Sequence, residues 1–388
     1  MPWKEQDRVD QRTEFVLRSI GGGVVFQRLC EEYGISPKTG YKWRKRFIED
    51  GLNGMHDRSR RPKCSPGSLS EDVICELIRL KNRHMNWGPV KIHDLYDTAY
   101  GKGPSLSSVK RVLDKAGFVK KRKRRGKRDM ARISERVKAS KPNEVWTVDF
   151  KGWWKMANAK RCEPLTIRDA YSWYIIGIRA MESTKTEDVQ REFEAIFRVY
   201  GLPEYIRSDN GSPFASVQAP AGLSRLSSWW IGLGIRLDRS RPGHVGDNAH
   251  HERMHLDIRN ELEGMIEGGK EAHQAAFDIW REEFNEIRPH ESLGMRRPAE
   301  VYEKSERRYE ECELEIAYPD NFMERKVSKR GVIRLWSRSI LITTSLAGWN
   351  VGLKHTDDKT LDVYFDYLRL GEIDLKTFTF HPTVRGNS

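Results

Sequence analysis

Apolar positions along this chain fall into two textures. Up to about residue 118 they recur at helical spacing; from about residue 140 short alternating runs take turns with helical stripes. RTEFVLRSI (12–20) is an apolar-periodic helix. Phe26, Leu29 and Cys30 make one face of a second helix, which Gly34 ends, because glycine most easily adopts the left-handed conformation there. Ser36 is a good N-cap and Pro37 suits the first turn of a third helix. That helix carries Lys38, Lys42, Arg44, Lys45 and Arg46, with Tyr41, Trp43 and Phe47 available to pack. A short turn before a basic helix suits insertion into a DNA major groove. The competing reading is an ordinary hairpin with a solvated basic face.

A Pro/Ser/Arg-rich linker follows, and then a second helical set: SEDVICELIRLKNRHM, GPVKIHDLYDTAY and SLSSVKRVLDKAGF. Val73, Ile74, Leu77 and Ile78 form its first stripe. Ser105 or Ser107 caps its last helix, which carries Lys110, Arg111 and Lys115. VKKRKRRGKR (119–128), with Lys120, Lys121, Arg122, Arg124 and Arg125, has nothing to bury and suits a phosphate-tracking arm as well as a plain solvated linker.

Beyond residue 140, EVWTVDFKGWW (144–154) alternates, with Trp146 and Val148 on one face and Thr147 and Asp149 on the other. EPLTIRDA (163–170) and WYIIGIRAM (173–181) read as two more strands of a meander. TKTEDVQREFEAIFRVYG (184–201) is an amphipathic helix buried through Val189, Phe193, Ile196 and Phe197, and EYIRSDNG (204–211) is a strand running into a polar turn. Three strands, a helix, a fourth strand and further helices is the order of an RNase H-like core. The tail from about 315 alternates around turns at AGWN and TDDKT, like a small β-barrel or SH3-like module. The predicted fold class is multidomain: N-terminal all-α helix-turn-helix modules, an α/β RNase H-like catalytic core and a small C-terminal β-barrel-like module. Its boundaries are a helix-turn-helix (1–55), a linker (56–69), a second helix-turn-helix (70–118), a basic linker (119–139), the core (140–305) and the β module (315–388).

Charge narrows the choice of partner. The 388 residues hold 69 Lys and Arg against 56 Asp and Glu, a net +13 that favours a polyanion. Ribosome-binding and membrane-surface proteins share such a balance. No apolar run approaches the length of a membrane span. The five cysteines, Cys30, Cys64, Cys75, Cys162 and Cys312, are scattered without a CxxC pair, which argues against a disulfide framework or zinc finger and for a reduced, cytoplasmic setting.

Three carboxylates stand out. Asp149 lies in a hydrophobic strand, Asp209 ends another in SDNG, and Glu252 lies on a later helix. Two strand positions and one helix position can converge on one or two hard cations, and Mg²⁺ prefers such oxygen ligands. Each has an ordinary alternative: a capping or ion-paired Asp149, a turn residue at Asp209, a surface charge at Glu252. His251-Glu252-Arg253-Met254-His255 also matches the HExxH zinc pattern. That reading lacks a third ligand, since Ile258 and Glu261 occupy the extended motif's Gly and His positions, and it leaves the basic helices and both aspartates unexplained. Met254, Ile258, Leu262 and Met265 form the packing stripe of this helix, with His251 inside it, His255 at its edge and Glu252 well away.

WTVDFKGWW, IRSDNGSPF, RPGHVGDNAHHERMH and FNEIRPHESLGMRRPAEVY together resemble a bacterial insertion-sequence DDE transposase with a core similar to retroviral integrases. The last stretch follows the family's YNxxRPHxxLxxxxPAxVY signature, with Phe284 in place of Tyr. The resemblance covers nearly the whole chain. It implies Asp149, Asp209 and Glu252 as the catalytic, metal-binding triad for Mg²⁺ or Mn²⁺, two ions per site, with Asp149 shared between them. The implied activity is DNA cleavage at terminal inverted repeats, then attack of the freed 3′-hydroxyl on target DNA. The implied partners are double-stranded DNA and further copies of the chain assembled on it, and the implied setting is the nucleoid of a bacterial cytoplasm. Asp209 and Glu252 stand further apart than is common in the superfamily. FASVQAPAGLSRLSSWW (214–230) reads as the loop insertion responsible, lying before a helix. Asp247 is a rival third carboxylate, better read as a helix N-cap because DNAHHE follows the family's DNAxxE; Asp169 is a second rival, read as structural. A DNA-binding regulator with an inactive transposase-like core is the alternative.

Overall fold

The structure is a computed structural model and describes residues 7–59, 68–119, 137–239, 249–312 and 314–383. It divides into two compact units, 1–70 and 71–388. In the first, α1 (Arg8–Ile20), α2 (Phe26–Glu32) and α3 (Pro37–Asp50) close around Phe15, Val16, Leu29, Cys30, Trp43 and Met55. In the first turn of α1 only Val9 is apolar, so apolar periodicity alone starts this helix late. The Ser36 hydroxyl accepts the Thr39 N–H, and Gly34 takes φ +62°, as the sequence predicts.

The second unit begins with α4 (Glu71–Arg83), α5 (Pro89–Tyr100) and α6 (Leu106–Lys115), packed through Leu77, Trp87, Ile92, Val109 and Leu113. Of the two candidate caps, Ser105 starts α6 by accepting the Ser108 N–H.

The central sheet is built from β1 (Val145–Phe150), β2 (Trp154–Lys155), β3 (Arg161–Asp169), β4 (Ile175–Met181), β5 (Tyr205–Ser208) and β6 (Arg236–Arg239). Its order is β4–β3–β1–β5–β6, with β2 paired to the start of β3. β1, β3 and β4 are antiparallel neighbours, and β5 and β6 run parallel to β1. That order and polarity are those of an RNase H-like core. Trp146, Val148, Leu165 and Ile167 face α7 (Thr186–Tyr200) and α8 (Arg225–Gly232). The other face, with Ile175 and Ile178, is covered by α9 (Ala249–Glu261) and α10 (Lys270–Glu282). Helices on both faces explain why β1 is buried along most of its length.

Two expectations need correction. Residues 225–232 form α8 rather than loop, started by a reciprocal Ser224–Ser227 capping box that offsets the Pro/Gly-rich lead-in. Met265 is exposed and outside the packing stripe, because α9 ends at Glu261, whereas Met254 and Ile258 are buried as predicted.

The tail contains β7 (Met323–Lys326), β8 (Val332–Leu335), β9 (Arg338–Leu341), β10 (Asn350–Asp357), β11 (Thr360–Phe365), β12 (Leu368–Asp374) and β13 (Thr379–Pro382). The main sheet runs β13–β12–β11–β10–β7, and β8 pairs only with β9. Among the described residues the ladder is therefore open rather than a closed barrel: β7 and β13 remain its edges. Leu223 and Ile231, around α8, join the apolar core of this module.

Candidate active site

Asp149 sits near the end of β1, on the face opposite Trp146 and Val148, and is half-buried. Asp209 follows the last residue of β5, the parallel neighbour of β1. Its carboxylate folds back to accept the Gly211 N–H at 3.1 Å. A Cβ at 211 would stand 2.9 Å from Asp209 Oδ2, so glycine leaves that carboxylate its space. Glu252 is exposed on the first turn of α9, the helix covering the Asp149 face.

These three groups share an electrostatic environment. Burial, then the like charge of Asp209, pushes the Asp149 carboxyl up to about 7; the Phe150 amide acts against the rise, and Glu252 adds to it. All three offer hard oxygen donors, the chemistry Mg²⁺ accepts, and a cation there would relieve their repulsion. Among the described residues no three His, Cys, Asp or Glu side chains close tightly enough around one point to hold an ion. The surroundings are organised by Lys151, whose ammonium pairs with Glu263 at 2.8 Å and lies 4.6 Å from the Trp154 ring centre. Glu263 also draws in Arg259 at 3.8 Å.

The histidines of the HExxH match turn away from Glu252. His251 Nε2 and His255 Nε2 lie 2.9 and 2.8 Å from the Thr166 hydroxyl. Burial holds His255 down to about 4 and His251 well below its usual range. They are packed, hydrogen-bonded rings. Asp169 is buried and accepts from the Asn143 N–H and from the Ser172 N–H and hydroxyl, which explains its charge structurally.

The sequence matches an integrase core domain over residues 139–245 and again over 233–298. It matches a helix-turn-helix domain over 11–63 and a homeodomain-like domain over 39–113. An uncharacterized 39.2 kDa protein of insertion element IS476 from Xanthomonas euvesicatoria is 27% identical over 253 residues, 64% of this chain and 70% of that one. The transposase of transposon Tn552 from Staphylococcus aureus is 25% identical over 299 residues, 64% of this chain and 60% of its own. The chain thus carries an integrase core domain and is similar to proteins encoded by insertion elements and transposons. The HTLV-2 integrase catalytic core domain in complex with magnesium covers 43% of this chain and 100% of its own, with 12% identity and a TM-score of 0.33.

Ahead of the core the chain carries helix-turn-helix domains, which imply DNA binding. On α3, Lys38 and Lys42 are exposed while Arg44 and Arg46 are half-buried. Lys42 and Arg46 lie 5.2 and 4.9 Å from the Trp43 ring centre, so this buried indole braces part of the basic face. Lys110 and Arg111 are exposed on α6, and Arg111 donates to the Ser108 hydroxyl at 3.1 Å. Lys120, Lys121, Arg122, Arg124, Arg125 and Asp247 lie outside the described residues. No helix among the described residues is long and apolar enough to cross a membrane.

Sequence reasoning missed Thr166, Asp257 and Arg288. Asp257 and Arg288 form a buried ion pair beneath α9, and an Asp between the apolar positions Met254 and Ile258 is the signal that marks it. Nothing local marks Thr166, whose partners are 85 and 89 residues away.

Proposed function

We propose that this chain is a DDE transposase that binds the terminal inverted repeats of an insertion element, cuts DNA there and joins the freed ends to target DNA. The observation that carries this reading is that Asp149 and Asp209 stand at the ends of the neighbouring parallel strands β1 and β5, while Glu252 lies on α9, the helix that covers the Asp149 face. Three carboxylates are set against one another on a basic, DNA-binding chain.

Asp149, Asp209 and Glu252 are the residues to hold Mg²⁺ or Mn²⁺, two ions in all. Bound there, the ions would supply activation of the attacking hydroxyl and stabilisation of the leaving oxygen in an in-line phosphodiester displacement. Gly211 keeps the Asp209 carboxylate turned back against its own loop. Segments 1–55 and 70–118 act as two DNA-binding modules, with Lys38, Lys42, Arg44, Arg46, Lys110 and Arg111 neutralising phosphates and Lys120, Lys121, Arg122, Arg124 and Arg125 tracking the backbone between them and the core. Segment 140–305 carries the chemistry, and 315–388 is a β module resting on α8. The working form is a multimer on paired ends, in the bacterial cytoplasm at the nucleoid.

The test is a labelled duplex carrying the DNA that flanks the gene. Footprinting locates the bound repeat, and incubation with divalent ions is expected to give nicked and strand-transferred products. Binding without cleavage in Mg²⁺, Mn²⁺ or any other divalent ion would leave a DNA-binding regulator instead.

A further inference from the structure

Thr166 stands directly opposite Asp149 in the β1–β3 ladder, so both side chains leave the sheet on the face covered by α9. Its hydroxyl donates to the Asp149 backbone carbonyl at 2.9 Å. The same oxygen meets the two α9 imidazoles, His251 and His255, at 2.9 and 2.8 Å. A hydroxyl has one proton and two lone pairs. With its proton committed to Asp149, it accepts one N–H from each ring, and its capacity is filled. Both rings reach it through Nε2, so this junction selects the Nε2–H form of each.

Thr166 is 0% exposed and His251 2%. An unmade bond at such depth costs the full desolvation of the orphaned group. Met254 and Ile258 press α9 onto the same face of the sheet. That packing is non-directional; the Thr166 junction is directional. His251 and His255 are one helical turn apart and bracket Glu252 in sequence, so holding both rings fixes the height and rotation of the turn that carries Glu252.

We propose that Thr166, His251 and His255 are positioning residues that lock α9 onto the backbone of Asp149 and thereby hold Glu252 in register with the other two carboxylates. This rests on the reading of Asp149, Asp209 and Glu252 as the catalytic set. It also gives the HExxH histidines of this chain a role unrelated to zinc.

The test compares full-length Thr166→Val, which keeps the shape and removes the hydroxyl, with Thr166→Ser, which keeps the hydroxyl. Three quantities are measured: single-turnover cleavage of a labelled terminal-repeat duplex across a Mg²⁺ series, affinity for that duplex, and Mn²⁺ bound by the protein without DNA. Thr166→Val is expected to cleave on the order of a hundredfold more slowly, as misplaced reacting groups do. It should need more Mg²⁺, bind less Mn²⁺ and hold the duplex as the wild type does. Thr166→Ser should restore the rate, the Mg²⁺ requirement and the Mn²⁺ binding. Wild-type cleavage and Mn²⁺ binding in Thr166→Val would overturn the proposal. Should Thr166→Val lose cooperative unfolding, His255→Gln, which keeps an amide N–H for Thr166, is compared with His255→Leu; equal rates in that pair overturn it as well. A wild-type chain that cleaves with no divalent ion fails the catalytic reading and this proposal with it. A wild type that cleaves while Thr166→Val keeps pace fails this proposal alone.

Discussion

Asp257 and Arg288 form an ion pair 2.5 Å long, with side chains only 5% and 7% exposed. Asp257 lies on α9 beyond Glu252, and Arg288 follows the π turn Glu283–Ile287 that ends α10. The guanidinium also lies 5.8 Å from the ring centre of Trp87, in the helical set ahead of the core. His84 pairs with Glu283 at 2.8 Å and Arg297 with Asp94 at 3.0 Å along the same seam. The helix of Glu252 is thus tied by charge to the end of α10, and that segment in turn to the helical set ahead of the core.

Removing Arg288 leaves the buried Asp257 only the more distant pair with Arg253 on its own helix, at 3.4 Å. Arg288→Ala is expected to lose about 3–5 kcal/mol in urea unfolding, whereas the paired change Asp257→Leu with Arg288→Met should lose far less, since apolar replacement avoids the desolvation cost. A double variant as unstable as the single one would rule out this role for the pair.

The contact between α8 and the β module gives a second stability test. A Cβ on Gly232 would stand 2.1 Å from the Trp349 ring. Gly232→Ala is expected to cost about 1–3 kcal/mol through overpacking, with part recovered by adding Trp349→Leu. Denaturant midpoints read both, and an unchanged midpoint for Gly232→Ala counts against the packing.

Acid should weaken the second unit. His290 packs against Phe284 and Trp173. Burial, then the positive charges of Lys91 and Arg288, holds it down to about 3. The unfolded chain takes up this proton below about pH 6.5 while the folded chain refuses it until near pH 3. Stability is therefore full above pH 6.5 and falls as pH drops through that window, by on the order of one proton's linkage per such histidine. His290→Asn should flatten the pH dependence of the urea midpoint between pH 7 and about 4.5 by about that much. An unchanged slope would mean His290 takes its proton in the folded state.

Much of this architecture was legible in the sequence, and the failures have physical reasons. Strand alternation placed Asp149 opposite Trp146 and Val148, and serine caps marked α3 and α6, because both signals act over a few residues. The 225–232 helix was hidden by its Pro/Gly-rich approach, though the Ser224–Ser227 pair is a start signal of the usual kind. An open sheet cannot be told from a closed barrel by alternation, since closure depends on which edges meet. HExxH invited a metal reading because its local spacing is right; the partner that claims both rings, Thr166, comes from another strand.

The basic helices carry a prediction of their own. Lys38→Ala and Lys110→Ala are each expected to reduce the slope of log affinity against log salt by about one, and to weaken all duplex sequences alike. Slopes equal to the wild type would assign those residues to a solvated face.

The most direct measurement is cleavage of a labelled terminal-repeat duplex in Mg²⁺ by the wild type and by Asp149→Asn, with duplex affinity measured in parallel. The wild type should nick the strand at the repeat end, and Asp149→Asn should bind the duplex nearly as well while its cleavage falls to background. Cleavage by Asp149→Asn at the wild-type rate would remove Asp149, and the three-carboxylate site with it, from the chemistry of this chain.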